Sequence, residues 1–246
     1  MNKNSNTYII IYSTVMVVVV AILLAVAALS LQKRQYQNEL NEKKTNILQS
    51  LGAADQNFDE LMTAYVIENG TKNETPADKV FDMMKTNKDL RDSYAAGKLY
   101  LFVAKDGRVV IPIVGAGLWG DIWGYLALEK DMNTVSGIVM AHKGETPGLG
   151  AEIATPNHQA KYKGKTIFEG NDFVGITLRK GGAQNPAHEV DAISGGTKTS
   201  DGVTNMIKDC LGAYIQVLKA QPEVVVEPAN PEAKTESETQ KVENNE

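Results

Sequence analysis

The chain has 246 residues, 43% of them hydrophobic, with a formal net charge of −5. That leaves room for one sizeable domain with appendages. Seven Glu and two Lys in residues 222–246 account for the whole excess charge, so the remainder is balanced and offers no basic footprint for nucleic acid. The lone Cys210 excludes an intramolecular disulfide.

In chain order, a short N-terminal segment (1–7) precedes Tyr8–Leu31, which has no charged residue in 24 positions. As a helix that stretch is roughly 36 Å long, enough for a hydrocarbon core of about 30 Å, so a single transmembrane helix is expected at 8–31. Ala25-Val26-Ala27 has the small-x-small form of a signal cleavage site, but the apolar run exceeds the roughly 7–15 residues of a signal core. Lys3 stands before the span; Lys33, Arg34, Lys43 and Lys44 follow it. The positive-inside rule, read literally, puts the large domain in the cytoplasm.

Residues 32–96 read as a helical stalk and packing segment. The polar stretch 32–51 carries Leu40, Ile47, Leu48 and Leu51. Two short helical patterns follow, Phe58, Leu61, Met62, Tyr65 and Val80, Phe81, Met83, Met84, with polar residues between them. From 97 to 220 the period changes. Leu99–Ala104 and Val109–Val114 flank Asp106-Gly107 as a hairpin. Ile122–Glu129 and Thr134–Ala141 form a second pair, and Phe173–Lys180 and His188–Ile193 are predicted later strands. Val203, Ile207, Leu211, Tyr214 and Leu218 mark one face of a final helix over about 201–219, with Thr199 or Ser200 as N-cap. Cys210 lies on this face and reads as a small buried hydrophobe. The fold class is α+β, an antiparallel sheet with flanking helices. Residues 221–246 form an acidic tail too polar to order itself.

Two loops carry the candidate chemistry. Gly144-Glu145-Thr146-Pro147-Gly148-Leu149-Gly150 predicts a type II turn, with Pro147 second and Gly148 third. Gly150 lets a ligand or another chain approach the backbone. As a ligand loop it would offer the Thr146 hydroxyl and the Leu149 side chain; otherwise it is a rigid turn. Asp191-Ala192-Ile193-Ser194-Gly195-Gly196-Thr197-Lys198-Thr199-Ser200 sets small and hydroxyl residues before a helix, where free N–H groups and the helix dipole favour an anion. The plain alternative is a glycine-rich turn with an ordinary cap. Neither a Walker A loop nor a Gly-x-Ser-x-Gly elbow is present. Trp119 and Trp123, within Gly115–Gly124, read as core or turn residues, with packing on an aromatic cofactor as the alternative. His142, His158 and His188 lack metal-ligand spacing and read as satisfied or surface histidines. Arg179, Lys180 and Lys198 could accompany a phosphate, or simply be solvated.

The second loop resembles the attachment motif of the FMN-binding domain family. The apolar span, Gly-Leu-Trp-Gly, Glu-Thr-Pro-Gly-Leu-Gly and Asp-Ala-Ile-Ser-Gly-Gly-Thr also follow the order found in C subunits of the sodium-translocating NADH:quinone oxidoreductase. The resemblance covers nearly the whole chain and is strongest over 97–218. It implies FMN joined by a phosphoester to Thr197, with Ser194, Gly195, Gly196, Lys198, Thr199 and Glu145, Thr146, Pro147, Gly148, Leu149, Gly150 around it. Asp191 would be read by a separate flavin transferase. The chain would be a single-pass protein of a bacterial inner membrane with a periplasmic domain, contacting lipid and the other subunits of a redox complex. That complex would oxidise NADH, reduce quinone and pump sodium ions, and this subunit would carry electrons without binding NADH. The G subunit of the Rnf complex has the same domain, and an anchored adaptor without covalent flavin is a further alternative. The family carries Ala before the attachment Thr, where this chain has Gly196.

Overall fold

The computed structural model describes residues 6–219; the acidic tail lies outside the described residues. In chain order the elements are α1 (Asn6–Ser50), α2 (Phe58–Leu61), β1 (Met62–Glu68), β2 (Thr71–Glu74), α3 (Ala77–Met83) and α4 (Asn87–Ala95). Four long strands follow: β3 (Leu99–Ala104), β4 (Val109–Ala116), β5 (Asp121–Leu128) and β6 (Val135–His142). Then come a 3₁₀ turn (Gly150–Ala154), α5 (Pro156–Gln159), a second 3₁₀ turn (Ala160–Tyr162), β7 (Phe168–Glu169), β8 (Asp172–Phe173), β9 (Thr177–Arg179), β10 (Glu189–Asp191), α6 (Thr197–Ala213) and α7 (Ile215–Lys219).

The first six strands form one antiparallel sheet in the order β2-β1-β3-β4-β5-β6. Both predicted hairpins are present. Two expectations are corrected. Met62 and Tyr65, read as part of a helix, lie in β1, whose β-branched Thr63, Val66 and Ile67 suit a strand and which pairs along six residues with β3. The helical pattern failed because α2 spans only four residues and the apolar residues after it alternate instead. The predicted strand Phe173–Lys180 is broken, Phe173 falling in β8 paired with β7 and only Thr177–Arg179 forming β9; His188–Ile193 shrinks to β10, which pairs parallel with β9 outside the main sheet. Glycines and turn residues on both sides leave only three residues for each.

Helix α1 runs unbroken from the apolar span into the domain, and the span is long and apolar enough to cross a membrane. Its side chains are exposed from Ile9 to Leu31, whereas Leu40, Ile47 and Leu48 are buried against the domain. Eight residues, roughly 12 Å of helix, lie between Leu31 and Leu40, and among them Tyr36 already donates its hydroxyl to Asp82 at 2.6 Å. Lys43 Nζ donates to the carbonyls of Met84 (2.9 Å) and Lys85 (3.1 Å), and Arg108 donates to the Leu51 carbonyl at 2.7 Å. The end of α1 comes close enough to β6 that a Cβ on Gly137 would lie 2.4 Å from the Ser50 carbonyl oxygen. Helix α1 packs on β5 and β6; α6 packs on β4, where Gly115 meets Met206. Because alternate residues face opposite sides of a sheet, and Gly137 pairs with Ala127 while Gly115 pairs with Ile122, the two helices lie on opposite faces.

Pro112, in the middle of β4, decides how α6 is hung. Proline has no N–H to give a neighbouring strand. Strands β3 and β4 accordingly pair only at Phe102–Val110 and Val103–Val109. Beyond that point side chains replace the ladder. The Tyr214 hydroxyl donates to the Tyr100 carbonyl (2.5 Å) and accepts from its N–H (3.0 Å). The Tyr94 hydroxyl donates to the Pro112 carbonyl. Cys210 bonds both backbone groups of Val114 at 3.4 Å, so it is more than a small buried hydrophobe. Burial pushes its thiol up to about 11 and the Tyr214 phenol well above its ordinary value. Two of these residues hang from α6: Cys210 lies in it and Tyr214 directly follows its last residue, Ala213. Tyr214→Phe strands the buried N–H and carbonyl of Tyr100, each worth about 1–3 kcal/mol. The expected loss is about 2–4 kcal/mol, read as a lower urea midpoint of the full chain in detergent.

Candidate functional site

Three loops meet at the start of α6. The first is the predicted type II turn. Gly148 has φ +74°, and the N–H groups of Leu149 and Ala151 both donate to the Thr146 carbonyl at 3.1 Å. The second precedes α6. Gly195 has φ +72°, Gly196 N–H donates to the Ile193 carbonyl at 3.0 Å, and Ile193 N–H donates to the Ser200 hydroxyl at 3.1 Å. The third joins β4 to β5 and is closed by Gly117 N–H donating to the Gly120 carbonyl at 2.7 Å.

Helix α6 begins at Thr197, four residues earlier than expected, on Gly196 and without a side-chain cap. Thr199 and Ser200, expected as N-cap, lie in the first turn with their hydroxyls engaged elsewhere. The glycine pair lets the chain turn into the helix before those residues are reached. The first-turn N–H groups have no partner within the helix. With no capping side chain they remain available to an anion, beside the exposed Thr197 and Lys198.

The two motifs predicted from sequence pack against each other. Leu149 covers Gly195, where a Cβ would lie 2.6 Å from Leu149 Cδ2. A Cβ on Gly150 would lie 2.3 Å from Glu145 Oε2 and 2.5 Å from Thr199 Oγ1. Glu145 is only 4% exposed; its Oε2 accepts from the Thr199 hydroxyl (2.6 Å) and its Oε1 from Trp119 N–H (2.8 Å). Its own N–H donates to His142 Nδ1 at 3.1 Å. At Gly196 a Cβ would lie 3.0 Å from Ile193 Cγ2, so glycine relieves crowding by that isoleucine.

The predicted residues divide in two. Ser194, Gly195, Thr197, Lys198, Thr146, Pro147, Gly148 and Leu149 are exposed, while Glu145, Gly150, Gly196 and Thr199 are buried beneath them. Asp191 is exposed, and its Oδ1 accepts from Ala183 N–H at 2.8 Å, which braces the turn before β10. Arg179 pairs with Glu189 at 2.9 Å on the neighbouring strand. The three histidines are all satisfied. His158, held to the Tyr162 hydroxyl at 3.1 Å, is lowered to about 4 chiefly by burial, and His188 Nδ1 lies 2.6 Å from the Thr166 carbonyl.

Sequence reasoning offered one part of the site only as an alternative. Leu118 and Trp119, on the loop held by Glu145, are 53% and 68% exposed, and Leu149 is 40% exposed. Trp119 is therefore a turn residue with its ring outward, not core. The signal was present in the flanking Gly117 and Gly120, which place Leu-Trp at a loop tip. Together the three loops offer free N–H groups, an exposed hydroxyl and an apolar surface, a set that suits a phosphate joined to an aromatic ring system.

The family model described as the FMN-binding domain matches residues 117–212, from the Leu-Trp loop to the last turn of α6. Relatives named as the C subunit of the Na(+)-translocating NADH-quinone reductase align along most of the chain. The Pasteurella multocida protein is 34% identical over 219 residues, covering 78% of this chain and 84% of that one. The Pseudomonas aeruginosa protein is 31% identical over 244 residues, covering 86% and 93%. Among solved structures, the equivalent protein from Parabacteroides distasonis superposes with a TM-score of 0.68 at 37% identity, covering 78% of this chain and 98% of that one. The chain belongs to the family of C subunits of the Na(+)-translocating NADH-quinone reductase.

Proposed function

We propose that the chain carries FMN as a phosphoester on Thr197 Oγ1 and serves as an electron-transfer subunit of a sodium-translocating NADH-quinone reductase. The observation that carries this reading is the meeting of the two loops. An exposed threonine hydroxyl opens an uncapped helix, and the Thr146–Leu149 turn packs beside it. The first-turn N–H groups and Lys198 would hold the phosphate, and Leu118, Trp119 and Leu149 would face the ring. Bound FMN supplies the redox chemistry; the protein orients and tunes it. Covalent attachment makes retention independent of affinity. Thr197 is an attachment point and takes no part in turnover.

Helix α1 would be the single membrane anchor, surrounded by lipid and by the partner subunits. The family assignment favours a periplasmic domain over the orientation suggested by Lys33 and Arg34, since charge bias loses force for large translocated domains. Asp191, exposed six residues before Thr197, would be read by a flavin transferase.

The test is the intact mass of the chain from native membranes, with peptide mapping over residues 191–200. The expected result is the polypeptide plus FMN less one water, localised to Thr197. A bare mass from a membrane that retains the assembled complex would sink the reading.

A further inference from the structure

Glu145 is the only buried carboxylate among the described residues, and it forms no ion pair among them. Removing a carboxylate from water is expensive unless donors replace the lost hydration. Here Trp119 N–H and the Thr199 hydroxyl do so, one on each oxygen, the pattern of an ionised group. Thr199 is in the first turn of α6, so the positive end of the helix dipole also favours the charge. Gly117 and Gly150 make the cradle: a Cβ on either would lie within 2.5 Å of a carboxylate oxygen. A neutral acceptor could join two loops without the desolvation, so the charge itself calls for a reason.

Its position supplies one. Glu145 joins the loop bearing exposed Leu118 and Trp119 to the first turn of α6, two residues beyond Thr197. Resting on the reading that Thr197 bears the flavin, we propose that Glu145 is the positioning residue of that site and that its buried charge lowers the flavin's reduction potential. Electrons added to the ring bring negative charge toward a fixed anion. Inside protein that repulsion is screened far less than in water. The same carboxylate holds the Trp119 loop, so orientation and potential are set by one group.

The experiment uses the full chain co-expressed with a flavin transferase and purified in detergent. Flavin fluorescence on a denaturing gel reports attachment, and redox titration against a reference dye reports the potential of whatever flavin is attached. Glu145→Gln keeps the volume and removes the charge. At fixed dye potential its reduced-to-oxidised ratio is expected to rise about tenfold, roughly 30 mV for a two-electron couple. Glu145→Asp keeps the charge and is expected to stay within about threefold of the parent, despite reaching its partners less well. A Gln variant with the parent's potential overturns the assignment, as does an Asp variant displaced as far as Gln. A bare Gln variant beside a flavinylated Asp variant supports it; two bare variants beside a bright parent overturn it. A dark parent band sinks the flavin reading itself, whereas a bright parent with an unmoved Gln potential sinks only the role of Glu145.

Discussion

Thr197→Val, co-expressed with a flavin transferase, is expected to give a chain that folds and runs normally but shows no flavin fluorescence on a denaturing gel. Valine nearly matches threonine in shape and lacks the oxygen that would bond to phosphorus. Residue 197 is exposed at the start of α6, and the helix uses no side-chain cap there, so the hydroxyl contributes nothing to the fold that valine would remove. The loss should be complete, because no neighbouring hydroxyl substitutes. Thr199 Oγ1 is buried and committed to Glu145, and Ser200 Oγ is buried and accepts from Ile193 N–H. Ser194 and Thr146 are exposed near the site but lie outside α6, and neither opens the helix as Thr197 does. Full fluorescence in this variant would place the flavin elsewhere.

Two glycines in α6 are expected to respond to alanine with opposite signs. In a helix interior the exchange gains about 1 kcal/mol from propensity alone. At Gly212 the new Cβ would meet only Phe173 Cε1, at 3.9 Å, an ordinary contact. Gly212→Ala should therefore stabilise the domain, by less than the full ~1 kcal/mol because Gly212 is next to the last residue of α6. At Gly202 the Cβ would lie 2.2 Å from the Ala116 carbonyl oxygen, a backbone atom at the end of β4 that cannot rotate away. Overpacking costs about 1–3 kcal/mol, and so close a backbone contact belongs at the upper end, leaving a net loss of about 2 kcal/mol. The damage should also reach function. Ala116 leads directly into Gly117 and the Leu118-Trp119 loop, and Gly202 lies one and a half turns from Thr197. Displacing α6 there should lower flavin loading, while Gly212→Ala leaves it intact. Urea unfolding in detergent, followed by Trp119 and Trp123 fluorescence and paired with in-gel flavin fluorescence, reads both effects. Equal shifts of the two midpoints would show that α6 does not bear on β4 as described.

Much of the site was legible because its requirements are local. Pro147-Gly148 specifies a turn by φ alone, and the turn formed with its predicted bond. The apolar spacing of Val203, Ile207 and Leu211 fixed a helix face, and all three are buried. The helix start is not legible locally: Thr199 and Ser200 have the chemistry of caps, while the boundary at Thr197 depends on loop packing. Trp119 is ambiguous between core and turn in the sequence because tryptophan is commonly buried; in the fold it stands exposed on the loop held by Glu145. Strand β1 was missed because four residues of helix run straight into it, and pairing with β3 outweighs a short local pattern.

An uncharged span long enough for a bilayer, two hairpins, a proline-glycine turn and a hydroxyl-rich helix entrance all follow from neighbours along the chain. What those features face follows from packing between distant segments. That packing set Glu145 beneath both motifs, put α1 and α6 on opposite sides of one sheet, and filled the gap at Pro112 with Tyr94, Tyr214 and Cys210. These contacts join residues far apart in the chain, and their energies depend on desolvation and close packing, which exist only once the chain has folded.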